Sequence, residues 1–179
     1  KSFGAQNMVS SLKTVLMKKP QEFMSKVDTQ KWNYISPLDQ QLINENYNDF
    51  YNIIQNSGVK IVELQLDNED EELCDSIFTH DPSLVLNEGA IILNMGKELR
   101  KNEIVLHKKL YEAINIPVIG RIINDGTVEG GDCLWINKNT LIVGESYRTN
   151  KEGIKQLHEI LKLLNIQLIP IQLPKNNNK

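Results

Sequence analysis

Residues 90–122, AIILNMGKELRKNEIVLHKKLYEAINIPVIGRI, and residues 140–172, TLIVGESYRTNKEGIKQLHEILKLLNIQLIPIQ, decide the fold. At an offset of 50 residues, Ile91 falls on Leu141, Leu93 on Val143, Ile104 on Ile154, Leu110 on Ile160, Tyr111 on Leu161, Ile114 on Leu164 and Asn115 on Asn165. Self-similarity at a fixed period marks an architecture assembled from repeated units. Each copy reads as strand, strand, helix, strand. The first is expected at 76–79, 90–95, 103–114 and 117–122, and the second at 133–136, 140–144, 151–164 and 166–171. The predicted helices carry apolar stripes at Ile104, Leu110 and Ile114 and at Ile154, Leu157, Leu161 and Leu164. Lys108, Lys109, Lys155 and Glu159 should then face water. A ββαβ unit cannot bury its faces alone, so such units must pack on one another.

Upstream lies a looser copy. It comprises a short strand over 12–17, an irregular stretch with Pro20, Trp32 and Tyr34, a helix over 38–55 and a strand over 59–66. The helix rests on Leu42, Ile43, Tyr47, Phe50, Tyr51 and Ile54, and Gly58 suits a left-handed cap at its end. The acidic run 67–72 reads as a solvated turn. With no linker between them, the units at about 12–66, 75–122 and 132–173 are read as one α/β domain, or part of one, over residues 1–179.

Charge and composition exclude several classes of function. The chain carries 20 Lys and Arg against 23 Asp and Glu, a net charge of −3. That balance gives no electrostatic grip on a phosphate backbone, so no nucleic-acid partner is expected. No apolar run exceeds four residues, which excludes a membrane span or a secretory signal within the chain. The two cysteines, Cys74 and Cys133, have no metal-type spacing, and a reduced cytoplasmic setting is expected. The chain opens on Lys1 and closes on Asn176-Asn177-Asn178-Lys179, so both ends read as cut.

Polar residues gather at the ends of the predicted strands. They are Asp75-Ser-Ile-Phe78-Thr-His80-Asp81-Pro82, Leu99-Arg100-Lys-Asn-Glu103, and Gly126-Thr-Val-Glu129-Gly-Gly-Asp132 continued by Gly144-Glu-Ser-Tyr-Arg148-Thr149-Asn150. Carboxylates suit a cationic group, and arginines suit a carboxylate through bidentate pairing. Two blander readings stay open. Residues 129–132 could be a tight turn whose glycines supply positive φ, and Arg148-Thr149-Asn150 could be a polar helix start capped by Thr149 or Asn150. Phosphate-loop, dinucleotide-loop and nucleophile-elbow motifs are absent. His80, His107 and His158 form no ligand cluster, and Cys133, at the start of an apolar strand, reads as a core residue with an inert thiol.

In the order and spacing of Asp75-Ser-Ile-Phe78-x-x-Asp81-Pro, Arg100-Lys-x-Glu103, Gly126-Thr-Val-Glu129-Gly-Gly-Asp132 and Gly144-Glu-Ser-Tyr-Arg148-Thr-Asn150, the chain resembles the dimethylarginine dimethylaminohydrolases. More distantly it resembles the arginine deiminases and amidinotransferases. The likeness runs over residues 12–173 and implies the pentein fold, an α/β propeller of ββαβ units of which this chain would carry about half. It implies that Asp81 binds a guanidinium, Asp75 holds an α-amino group and Phe78 packs on the guanidino plane. It further implies that Arg100 and Arg148 clamp an α-carboxylate and that Glu129 orients a catalytic histidine. That histidine and the nucleophilic cysteine would lie beyond residue 179, leaving the 179-residue chain alone inactive.

The implied activity is hydrolysis of arginine or N-methylated arginine to citrulline and an amine, by covalent Cys/His catalysis with no metal or organic cofactor. The partner would be a small guanidino amino acid, and a homo-oligomer stays open. His80 stands where close dimethylargininases carry a second acid, so arginine and methylarginine both remain open as substrates. An arginine deiminase or amidinotransferase of the same fold, or a non-catalytic member that binds a guanidino ligand, are the alternatives.

Overall fold

Two aspartates start the helices in the first part of the chain. Asp28 accepts the backbone N–H groups of Gln30 and Lys31 (2.9 and 3.1 Å) and caps α1 (Thr29–Trp32). Asp39 accepts that of Leu42 (3.1 Å) and caps α2 (Gln40–Asn56), after which Gly58 takes φ 77°. The computed structural model describes residues 3–65 and 72–174, so Leu66 and all but the last residue of the expected acidic turn lie outside the described residues. Within them the chain forms two units, residues 11–79 and residues 1–10 with 80–179.

In the 11–79 unit, β1 (Thr14–Met17) and β2 (Lys60–Glu63) pair in parallel. Parallel neighbours need a crossover, which α1 and α2 supply. Met17, Met24, Trp32, Leu64, Leu73 and Cys74 are buried. Along α2, Ile43, Tyr47, Tyr51 and Ile54 are half-buried, whereas Leu42 and Phe50 stay exposed. The strand expected over 76–79 does not form. Residues Cys74–Ile77 are a 3-10 turn, closed by the N–H of Ser76 on Leu73 O (3.0 Å) and of Phe78 on Asp75 O (2.9 Å). The strand of that repeat lies later, at β3.

The other unit carries the repeat. β3 (Ser83–Val85) pairs antiparallel with β4 (Ala90–Ile92), α3 (Glu103–Ala113) crosses over, and β5 (Val118–Arg121) returns parallel to β4. The pattern recurs with β6 (Cys133–Asn137), β7 (Thr140–Glu145), α4 (Lys151–Lys162) and β8 (Gln167–Gln172). Ile91, Leu93, Leu141 and Val143, matched across the repeat, are all fully buried in one core. Asn115 and Asn165, likewise matched, are both left-handed, with φ 59° and 56°. Each lets the next residue turn back onto its helix: Ile116 N–H reaches Tyr111 O (2.8 Å) and Ile166 N–H reaches Leu161 O (3.0 Å). Among the described residues no helix is long and apolar enough to cross a membrane.

The two helices use the core differently. In α4, Ile154, Leu157 and Leu161 are buried while Lys155 and Glu159 are exposed, as the periodicity predicts. In α3 the buried residues are Glu103, Leu106, His107 and Tyr111, and Ile114 is 41% exposed. The expected stripe is rotated because polar partners draw the other face inward. Ser83 Oγ lies 2.6 Å from Tyr111 OH and 3.2 Å from His107 Nδ1, and Glu103 pairs with Arg100. His107 is fully buried and its Nε2 has no hydrogen-bond partner among the described residues. Burial, helped by the charge of Arg100, pushes its pKa down to about 4.

Leu157→Ala should cost about 2–5 kcal/mol of stability by denaturant titration, since the side chain is fully enclosed. His107 adds a pH dependence. The unfolded chain takes up a proton near pH 6.5 that the folded chain refuses until about pH 4. Stability is therefore complete above pH 6.5 and should fall by up to about 3 kcal/mol as the pH drops through that window. Urea titrations at several pH values should show a shallower acid-side decline for His107→Gln than for the native sequence.

Candidate active site

Asp81 sits just before β3 with both carboxylate oxygens held. Oδ1 accepts the backbone N–H of Gly131 (3.0 Å), and Oδ2 pairs with Arg100 Nη1 (2.6 Å). Arg100 ends a 3-10 turn, Glu98–Arg100, and its Nε and Nη2 donate to the two oxygens of Glu103 at 2.9 and 2.8 Å. Burial alone would lower the pKa of this guanidinium. The bonds and charges of Glu103 and Asp81 outweigh that and raise it. The backbones also meet: Gly130 N–H donates to Asp81 O (2.9 Å), and a Cβ on Gly130 would stand 2.1 Å from His80 O. Neither Gly130 nor Gly131 has positive φ. Gly130 therefore serves the close approach of two backbone segments, and the pair does not form the left-handed turn that glycines there would allow.

Glu129 is 3% exposed and bonded through both carboxylate oxygens. Its Oε1 accepts the backbone N–H groups of Gly96 and Lys97 (3.1 and 3.3 Å), and its Oε2 takes Arg148 Nη1 (3.0 Å). The segment carrying Glu129 is tied to the end of β4 by Asn94, whose Nδ2 donates to Asn124 O and Gly126 O (3.1 and 2.6 Å) and whose O accepts Val128 N–H (2.9 Å). Asn150 caps α4 through Gly153 N–H (2.8 Å), so the helix-start reading of residues 148–150 also holds.

Asp81, Glu129, Gly131, Asp132, Ser146, Tyr147 and Arg148 line a pocket of about 280 Å³. Three carboxylates and one half-exposed guanidinium (51%) make it suited to a ligand with a cationic and an anionic end. Cys133 adjoins it from the core. It is 6% exposed, and burial, with the charges of Asp132 and Asp81, pushes its thiol up to about 12, which disfavours the thiolate. No group of three or more His, Cys, Asp and Glu that could hold a metal occurs among the described residues.

Four of the six expected site residues thus come together, in two ion pairs: Asp81 with Arg100, and Glu129 with Arg148. Of the two arginines expected to clamp a carboxylate, Arg148 is half exposed and Arg100 is enclosed at 1%, already bound on three nitrogens. Asp75 and Phe78 belong to the 11–79 unit. Asp75 is buried there and accepts the hydroxyl of Tyr34 (2.7 Å), and Phe78 is 54% exposed. The sequence alone assigns no role to Glu103 or Asp132. The spacing Arg100-x-x-Glu103 at a helix start was the available signal for the first.

A family model described as Arginine deiminase matches residues 69–179. The N(G),N(G)-dimethylarginine dimethylaminohydrolase of Pseudomonas aeruginosa is 34% identical over 118 residues, 66% of this chain and 45% of that protein. The arginine deiminase of Listeria welshimeri is 32% identical over 90 residues, 47% of this chain and 22% of that protein. Among solved structures, a mutant of the P. aeruginosa enzyme complexed with citrulline matches with a TM-score of 0.79 at 28% identity, over 92% of this chain and 62% of that one. The N-terminal domain of ArgZ, an arginine dihydrolase of Cyanobacteria, bound to its substrate, matches with a TM-score of 0.75 at 19% identity and shares the fold. The chain spans less than half the length of these two curated relatives. Its ββαβ units are those of the pentein fold, and with a family model matching well over half of its residues, the chain belongs to the arginine deiminase family.

Proposed function

We propose that the full-length protein hydrolyses the guanidino group of arginine or N-methylated arginine, and that this chain supplies groups that recognise the ligand. One observation carries the reading: Asp81, with both oxygens fixed, lies in a pocket that also presents Arg148. A carboxylate locked in this way meets a guanidinium without reorganising. Arg148 takes the ligand's carboxylate at the other end, and Arg100 stands behind Asp81 and holds it.

The chemistry is covalent and needs no cofactor. A cysteine thiolate from sequence beyond residue 179 attacks the guanidinium carbon. The C–N bond to the terminal nitrogen breaks, and ammonia or methylamine leaves with a proton from a histidine. Water then adds to the thiouronium carbon, the C–S bond breaks, and the ureido product, citrulline, is released with the thiolate regenerated. Glu129 orients that histidine, its own carboxylate being steadied by two backbone N–H groups. The names of the relatives, which include a dimethylarginine hydrolase and an arginine deiminase, support the substrate class. Two buried free thiols suit a reduced, cytoplasmic setting.

Full-length protein incubated with L-arginine or monomethyl-L-arginine should yield citrulline, with ammonia or methylamine in equal amount. Product formed only when an acceptor amine is added would move the assignment to a transferase, and no product with either substrate would overturn it. Asp81→Asn should lower kcat/KM by about 2–5 kcal/mol, roughly 30-fold or more. Cys133 should resist iodoacetamide at pH 8 in the native protein and react once it is unfolded. Mass-spectrometric labelling of Cys133 ahead of the other cysteines would make it a reactive group after all.

A further inference from the structure

The loop that carries Arg148 is built on Asp132. Asp132 Oδ2 accepts the hydroxyls of Ser146 (2.6 Å) and Thr149 (2.5 Å). A hydroxyl has one proton and two lone pairs, so giving both protons to the carboxylate fixes where the lone pairs point. Ser146 Oγ accepts the backbone N–H of Arg148 (3.0 Å) and of Thr149 (3.1 Å). Thr149 Oγ1 accepts that of Glu129 (3.1 Å). The N–H of Ser146 returns to Thr149 O (2.9 Å), and Thr149 is fully buried. Behind the loop stands Gly96, where a Cβ would lie 2.4 Å from Arg148 O, so the backbone of Arg148 has no room to retreat.

We propose that Asp132 is a positioning residue that sets the preference of the pocket for ligands bearing a carboxylate, acting through the Ser146–Thr149 loop on Arg148. The inference rests on the reading of Arg148 as the carboxylate partner. An arginine on an unordered loop loses conformational entropy when it binds, and a loop ordered beforehand does not. Charge alone argues the other way. Asp132 lines the pocket, so a carboxylate ligand is repelled by it, and its removal should favour such ligands if repulsion were its main effect. The two roles therefore predict opposite signs.

The test is initial-rate competition between L-arginine and agmatine, which lacks the carboxylate, on the full-length protein. The ratio of the two kcat/KM values does not depend on how much of each preparation is folded. The native protein should favour arginine by about tenfold or more. Asp132→Ala should bring the ratio at least tenfold down, toward unity. Asp132→Asn keeps an acceptor oxygen for the two hydroxyls and should stay within threefold of the native ratio. Ser146→Ala, which removes one hydroxyl, should lower the ratio and carries the test should Asp132→Ala not fold. An unchanged or increased ratio in Asp132→Ala or in Ser146→Ala would overturn the proposal. Should the protein act only on methylated substrates, monomethyl-L-arginine and N-methylagmatine take the places of the two compounds. A native protein that does not discriminate would overturn the carboxylate reading itself, and one that turns over none of the four would overturn the proposed hydrolysis.

Discussion

The candidate site depends on a guanidinium that the protein buries for itself. Arg100 is withdrawn from water, which costs several kcal/mol for an isolated ion, and the structure sets two carboxylates on it. Glu103 meets it with both oxygens from the first turn of α3, where the helix dipole also favours a negative group. Asp81 meets it from the start of β3. Loss of Arg100 would strand the enclosed Glu103, and loss of either acid would leave the guanidinium with a single carboxylate. An arginine side chain of the protein thus already occupies one side of the acid that is proposed to recognise an arginine-like ligand.

Around that group the polar residues are ordered by backbone more than by each other. Glu129 is held by two N–H groups of the segment after β4, Asp81 by one from the Gly130–Asp132 turn, and the Arg148 loop by hydroxyls that bind its own N–H groups. The segments that meet belong to different repeats. Asp81 and Arg100 come from the first ββαβ unit and Gly131 from the turn that leads into the second. Strands pinned in a common core, with Ile91, Leu93, Leu141 and Val143 at its centre, thereby hold residues far apart in sequence within hydrogen-bond distance.

The fold was legible where apolar periodicity alone decides structure. α4 has one amphipathic stripe, and Ile154, Leu157 and Leu161 are buried as the spacing predicts, with Leu164 half-buried just past the helix. The Asn of each repeat could be matched in sequence and proves left-handed in both copies. α3 was misread because three of its inward residues, Glu103, His107 and Tyr111, are polar, and no apolar pattern reports a helix face drawn inward by an ion pair and a hydroxyl cluster. The short run Ser76–Thr79 has strand-like composition, yet local turn bonds claim its backbone. In the site, the types and positions of the main residues could be read from motifs. The enclosure of Arg100 and the dependence of the Arg148 loop on Asp132 could not, because both are facts about geometry between distant segments.

The glycines at 96 and 130 bear on descent as well as on geometry. Each is the point where one backbone touches another, Gly96 against Arg148 and Gly130 against His80, and neither contacts a ligand group through a side chain. A lineage that gave up the proposed chemistry would be released from selection at Arg148 and Glu129, whose side chains face the pocket. It would stay bound at the two glycines, because the chain could no longer close without them. Retained glycines with drifting acids and arginines would mark a relative that keeps the fold and has lost the proposed reaction.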